Sequence, residues 1–260
     1  MSNEHSMQSA LGTLRVLDLA DGKGAYCVKL LADMGAEVVK VEPPGGDPTR
    51  RIGPFYQDTP DPEGSLFFWH FGTNRRSITL DIERSEGQDI FRRLIASADI
   101  LVETFHPGYL DGLGLGFEAL HRLNPRLIVT SITDFGQTGP YRDYKGSDII
   151  DLAMGGQLYL CGYPDAPPVR PSGHQAWQQA SLHAGYSTLI AVYWRDMSDS
   201  GQQVDMSVQA AIAADLQNTM AAYDLTGVVR KRVGSRLVPC KDGYIRLLAG
   251  RGWDELVDWM

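Results

Sequence analysis

Cysteine is scarce: Cys27, Cys161 and Cys240 are the only three in 260 residues, far apart and never as CxxC. Such a set makes neither a disulfide framework nor a thiolate zinc site, and it suits a reducing compartment. Long apolar runs are missing too. Nothing approaches the ~20 residues that a membrane-spanning helix needs, and Met1–Ala10 is polar, with no secretory core. No membrane association is expected, and the expected location is cytoplasmic. Positive charge is in deficit, 24 Lys and Arg against 32 Asp and Glu, and the net charge of −8 disfavours nucleic acid as a partner. The six histidines form no HExxH and no ligand spacing with carboxylates, so no metal site is expected. The Gly-x-Ser-x-Gly elbow of serine hydrolases is absent, as are internal repeats.

What is present is an apolar content of 43%, enough for a sizeable core, arranged as short β-branched runs alternating with helical stretches. The spacing predicts strands at Arg15–Leu19, Glu37–Glu42, Ser77–Asp81, Ile100–Glu103 and Arg126–Ile132. Helices are predicted at Tyr26–Met34 with Gly35 as its C′ residue, around Ile90–Ile95 with Ser85 as N-cap, and at Phe117–Leu123. The turn-rich segment from Pro43 to Pro48 reads as loop. The fold class is therefore α/β, a Rossmann-like parallel sheet flanked by helices. Beyond Asp148 the pattern turns helical, at Asp148–Leu160, Trp177–Trp194 and from a Ser207 cap to about Leu225, with a short strand at Gln203–Met206. Residues 11–228 read as one large domain and 229–237 as a basic linker. Residues 238–260 read as the beginning of a small second domain, opened by a hairpin at Lys241-Asp242-Gly243 and cut off inside its first helix.

Gly22-Lys23-Gly24 lies between the first strand and the first helix, where α/β folds bind phosphate. The third glycine of a dinucleotide fingerprint is missing, so a plain structural turn and an anion site both remain open. The basic groups Arg50–Arg51, Arg75–Arg76, Arg142 with Lys145, and Arg230–Lys231–Arg232 are either solvated loop charges or contacts for a small anion. His174, in a loop entering the long helix, is either a surface residue or a polar site residue.

Several stretches, in this order, resemble the class III CoA-transferase family: RVLDL at 15–19, LADMGAEVVKVE at 31–42, GGDPTR at 45–50, NRRSITLD at 74–81, ADILVETFHPG at 98–108, LNPRLIVTSI at 123–132, FGQTGPY at 135–141, SGQQVDMS at 200–207 and CKDGY at 240–244. The resemblance implies a Rossmann-like large domain plus a small domain, in an interlocked dimer. It implies CoA thioesters as substrates, with no tightly bound cofactor, and movement of CoA between carboxylic acids through a catalytic aspartate. That aspartate belongs near the start of the long helix. Here its slot falls at Ala176, Trp177 or Gln178, none of them a carboxylate. The family's asparagine and arginine positions carry Thr104 and Gly112, and its Gly-Pro is Gly24-Ala25. By resemblance, Gly22, Lys23, Gly24, Leu80, Thr104 and Lys145 are the candidate CoA contacts, Leu80 beside the adenine and Lys145 at a phosphate. Trp177, Tyr186 and Trp194 are either acyl-site aromatics or core. Three functions follow: a CoA-transferase or its thioester-binding part, a non-catalytic subunit paired with an aspartate-bearing homologue, or a racemase-like protein using a His/Asp pair. The chain would work as a homodimer, or as a heterodimer of the benzylsuccinate type.

Overall fold

The computed structural model describes residues 9–232, 237–246 and 257–258. Residues 233–236 of the expected linker, and most of the expected small domain beyond its first hairpin, lie outside the described residues. Within them, β1 (Arg15–Leu19) leads into α1 (Ala25–Asp33) and β2 (Glu37–Glu42). A 3₁₀ turn at Pro48–Arg51 and the short helix α2 (Leu66–Phe71) precede β3 (Arg75–Thr79). Then come α3 (Ser85–Ile95), β4 (Ile100–Glu103), α4 (Tyr109–Gly112), α5 (Phe117–Leu123) and β5 (Ile128–Thr133). The second half holds α6 (Asp148–Met154), α7 (Gln175–Ser198), β6 (Gln203–Ser207), α8 (Val208–Asp215) and α9 (Gln217–Thr226). A hairpin, β7 (Leu237–Cys240) and β8 (Gly243–Arg246), forms at the predicted turn.

Six strands form one sheet in the order β3-β2-β1-β4-β5-β6, every neighbouring pair parallel. Both faces are covered, so strand residues alternate between two cores. Val16, Ile100, Val102 and Ile128 meet α1, α6, α7 and α8 on one side, whereas Leu17, Leu101 and Val129 meet α3 and α5 on the other. Alanines 176, 180 and 184 recur every four residues along α7 and are fully buried. Their small side chains let this helix lie close against the sheet.

Several boundaries differ from the sequence reading, each for a physical reason. Ser65 caps α2, its hydroxyl accepting from Phe68 N–H at 3.1 Å and donating to Ile52 O at 2.6 Å, which orders six aromatic-rich residues for which the pattern predicts no element. Asp47 caps the 3₁₀ turn inside the Pro/Gly-rich segment, accepting from Thr49 N–H at 2.7 Å. Ser85 is not the N-cap of α3: that position is Arg84, and the Ser85 hydroxyl bonds Glu86. The helix predicted over Asp148–Leu160 ends at Met154, because Gly155-Gly156 follows with Gly156 at φ +90°. Ser207 does cap α8, accepting from Ala210 N–H at 3.2 Å, but the helix breaks at Leu216 before α9.

Candidate functional site: a two-lobed cleft at the sheet's carboxyl edge

Strand order reverses between β1 and β4, and a crevice opens there beyond the carboxyl ends of the strands, where open α/β sheets bind ligands. It has two lobes that share Thr104 and Phe105. The first, about 470 Å³, is mostly apolar, walled by Leu19, Val41, Leu80, Ile82, Phe105 and Tyr109. The second, about 320 Å³, is basic, with Lys23, Arg142, Lys145 and His106 on its walls and Asp134 among them.

The loop after β4 divides the lobes. Glu103 accepts from Phe105 N–H at 2.7 Å, and the Phe105 ring stacks on Tyr109 at 4.6 Å. Burial pushes the Glu103 carboxyl up to about 7, against its bonds from Ser131 and Phe105. Tyr109 donates to Glu83 at 2.9 Å, and burial and that carboxylate raise its phenol to about 12.

The candidate residues separate into cleft walls and scaffold. Leu80, Thr104, Lys23 and Lys145 line the cleft. Thr104 is also a staple between strand ends, its hydroxyl accepting from Asp21 N–H at 2.8 Å. The Gly22-Lys23-Gly24 turn spends much of its backbone on itself: Lys23 N–H goes to Asp21 Oδ1 at 2.9 Å and Gly24 N–H to Asp21 O at 3.1 Å. Gly24 is required by packing, since a Cβ would stand 2.6 Å from Ala20 Cβ and 3.0 Å from Thr104 Cγ2. Gly22 lies under the Trp177 ring, which a Cβ would meet at 3.1 Å.

The basic pairs sort the same way. Arg50 clasps Glu42 at 2.7 and 2.8 Å and lies 3.9 Å over the Phe68 ring. Those bonds hold the Glu42 carboxyl down at about 2, against the opposing effect of burial. Arg75 pairs with the buried Asp18, and Lys40 bridges Asp18 and Asp47 at 3.5 and 2.6 Å. These are internal struts of the β2–β3 region. Arg142 and Lys145 alone among the four groups face the basic lobe.

At the head of α7, Asp148 accepts from Ala176 N–H at 2.9 Å and pairs with Arg170 at 2.9 Å. Ala176 is buried, and Gln178 turns back to Gly173 O. Trp177 stacks flat on His174, rings 4.8 Å apart at 7°. Its indole faces Asp151 of α6, which the sequence reading passed over. Asp151 is fully buried, and among the described residues its oxygens and the facing Trp177 Nε1 have no hydrogen-bond partner. Burial first, and then the charge of Asp134, push its carboxyl up to about 8, against Lys23 and the Trp177 indole. The signal was there: an acid in the apolar run Asp148–Met154 is rarely idle. Asp134, just past the end of β5, also went unremarked. His183 does have an acidic partner, Asp215 at 3.1 Å, but the two pair across α7 and α8 and neither is among the residues lining the cleft.

Residues 11–259 match the family model described as CoA-transferase family III. The chain belongs to that family. It is 40% identical over 256 residues to the succinyl-CoA:(R)-benzylsuccinate CoA-transferase subunit BbsE of Thauera aromatica, covering 95% of this chain and 62% of that one. Identity is 41% with the succinyl-CoA–D-citramalate CoA-transferase of Chloroflexus aurantiacus, covering 94% and 60%. With the β subunit of that organism's succinyl-CoA–L-malate CoA-transferase it is 38%, covering 93% and 60%. A solved CAIB/BAIF family protein from Brucella suis superposes with a TM-score of 0.84 at 34% identity, covering 92% of this chain and 65% of that one. The chain thus spans about three fifths of the length of these family III relatives.

Proposed function

We propose that this chain binds a CoA thioester in the two-lobed cleft and serves as the subunit of a two-chain CoA-transferase that does not itself carry the acyl group. The apolar lobe takes the adenine end beside Leu80, and the basic lobe takes the phosphates, Lys23 and Lys145 as point charges and Arg142 through its planar guanidinium. Residues 11–228 are the CoA-binding unit. The observation that carries the reading is the indole of Trp177 at the head of α7, where the family's nucleophilic carboxylate belongs. An indole cannot form an acyl anhydride, and neither can the amide of Gln178. Two of the relatives named above are subunits of CoA-transferases, which supports a paired arrangement.

The test is intact-mass measurement after incubation with succinyl-CoA, on this chain alone and co-expressed with an aspartate-bearing homologue. The expected adduct, trapped by hydroxylamine, sits on the homologue only. An adduct on this chain, or full activity of a pure homodimer, would overturn the subunit reading in favour of a self-sufficient transferase. The racemase-like alternative predicts deuterium incorporation at the α-carbon of a bound acyl group in heavy water.

A further inference from the structure

Asp151 presents a problem that the fold must solve. Its side chain lies among α6, the β1–α1 turn and the head of α7, with 0% of the residue exposed, and among the described residues neither its oxygens nor the facing Trp177 Nε1 has a hydrogen-bond partner. A buried carboxylate without donors costs several kcal/mol, far more than its neutral acid. Its neighbours compound the difficulty. Asp134 lies against it from the end of β5, in contact also with Gly146, where any side chain would collide with the Asp134 carboxyl. From the β1–α1 turn comes Lys23, itself 3.5 Å from Asp21; from α7 comes the Trp177 indole. Asp148, on the same helix, is already taken by Arg170 and Ala176 N–H. The cation acting on Asp151 is thus Lys23, which is shared with Asp21, while Asp134 acts on it as a like charge, and the low-cost arrangement keeps one proton between the two acids.

Asp134 is also the one acid, among the described residues, that lines the basic lobe with its cations. An anion entering that lobe meets Lys23, Arg142 and Lys145 favourably and the Asp134 carboxylate unfavourably. We propose that Asp134 and Asp151 form a proton-sharing acid pair, Asp151 holding the proton in the sealed position, and that a CoA ligand entering the basic lobe makes the pair take up a proton from solvent. The pair is a positioning and charge-balancing device; nothing requires it to touch the thioester. The uptake step rests on the proposed CoA site, whereas the shared proton does not.

Isothermal titration calorimetry with acetyl-CoA at pH 8, in HEPES and in Tris, reads the protons exchanged on binding. The native protein is expected to take up a fraction of a proton per ligand bound, since the ligand's negative charge tightens the hold of the pair on a proton that burial and Asp134 already keep above the ordinary carboxyl range. In Asp151→Asn the amide replaces the neutral acid and donates to Asp134 permanently, so binding persists with no uptake. Binding without uptake in the native protein, or equal uptake in both proteins, overturns the proposal. If acetyl-CoA gives no heat at all, the CoA-site reading and the uptake step fall together. The shared proton is then judged by infrared spectroscopy of the ligand-free protein: a carboxylic-acid band titrating between pH 7 and 9, lost in Asp151→Asn, supports it. No such band in the native protein removes it, and that measurement stands even if the variant does not fold.

Discussion

Lys145 reaches the basic lobe from the segment before α6, and Arg142 and Lys23 also line it. A single ammonium meeting a phosphate in a partly open cleft is worth about 1 kcal/mol. Lys145→Ala is therefore expected to weaken CoA binding roughly fivefold to tenfold, with a shallower salt dependence, and calorimetry at two ionic strengths checks it. Trp177 asks a different question. Replacing it by aspartate puts a carboxyl at one of the three positions where the resemblance places the catalytic aspartate, but sets it beside Asp151 and Asp134, where Lys23 is already shared with Asp21. The expected result of Trp177→Asp alone is a protein about 2 kcal/mol or more less stable, with no acyl adduct by intact mass. Thr104 and Gly24 were singled out in the sequence as ligand contacts. Their tightest contacts are with the protein itself, in the staple and the close packing that join the ends of β1 and β4.

Among the elements, α3 shows how packing overrides propensity. Gly87 weakens the first turn of a helix, and alanine there would ordinarily gain up to about 1 kcal/mol. Here a Cβ would fall on the backbone carbonyl of Asp81, so Gly87→Ala is expected to destabilise by about 2 kcal/mol or more in urea unfolding. The six-residue helix α2 was illegible because its driving force is a cap and a long-range staple, not a period: Ser65 binds carbonyls 13 and 16 residues earlier in the chain. By contrast β1, β2, β4 and α5 occur at the predicted residues. Buried parallel strands need continuous apolar runs whatever packs on them.

Across the whole molecule, the unusual carboxyls oppose one another in their response to pH. Asp151 and Glu103 are raised to about 8 and about 7, so the folded chain holds protons that the unfolded chain has released above its ordinary carboxyl range. Their contribution to stability therefore falls as pH rises from about 4 to 8. Glu42 is held at about 2 by Arg50, and its contribution is present above the unfolded value and lost as pH falls toward 2. Urea unfolding from pH 5 to 9 is expected to show declining stability, and Asp151→Asn is expected to flatten the upper part of that decline. A native curve that stays level through pH 8 would contradict a neutral Asp151.

The order of apolar runs, glycines and acids along the chain was enough to determine the alternating α/β class, the strand positions and the family motifs, because these depend on period and local turn chemistry. It was enough, too, to establish that no carboxylate stands at the head of the long helix, since that is a matter of residue identity. Which charges would be struts and which would face the cleft was decided only by the tertiary structure. Arg50 and Arg142 read alike in a string of letters; one is folded onto Glu42 and Phe68, the other is left facing the basic lobe. The meeting of Asp134 with Asp151, 17 positions apart on different elements, likewise depends on how β5 and α6 are brought together, and no local pattern encodes it.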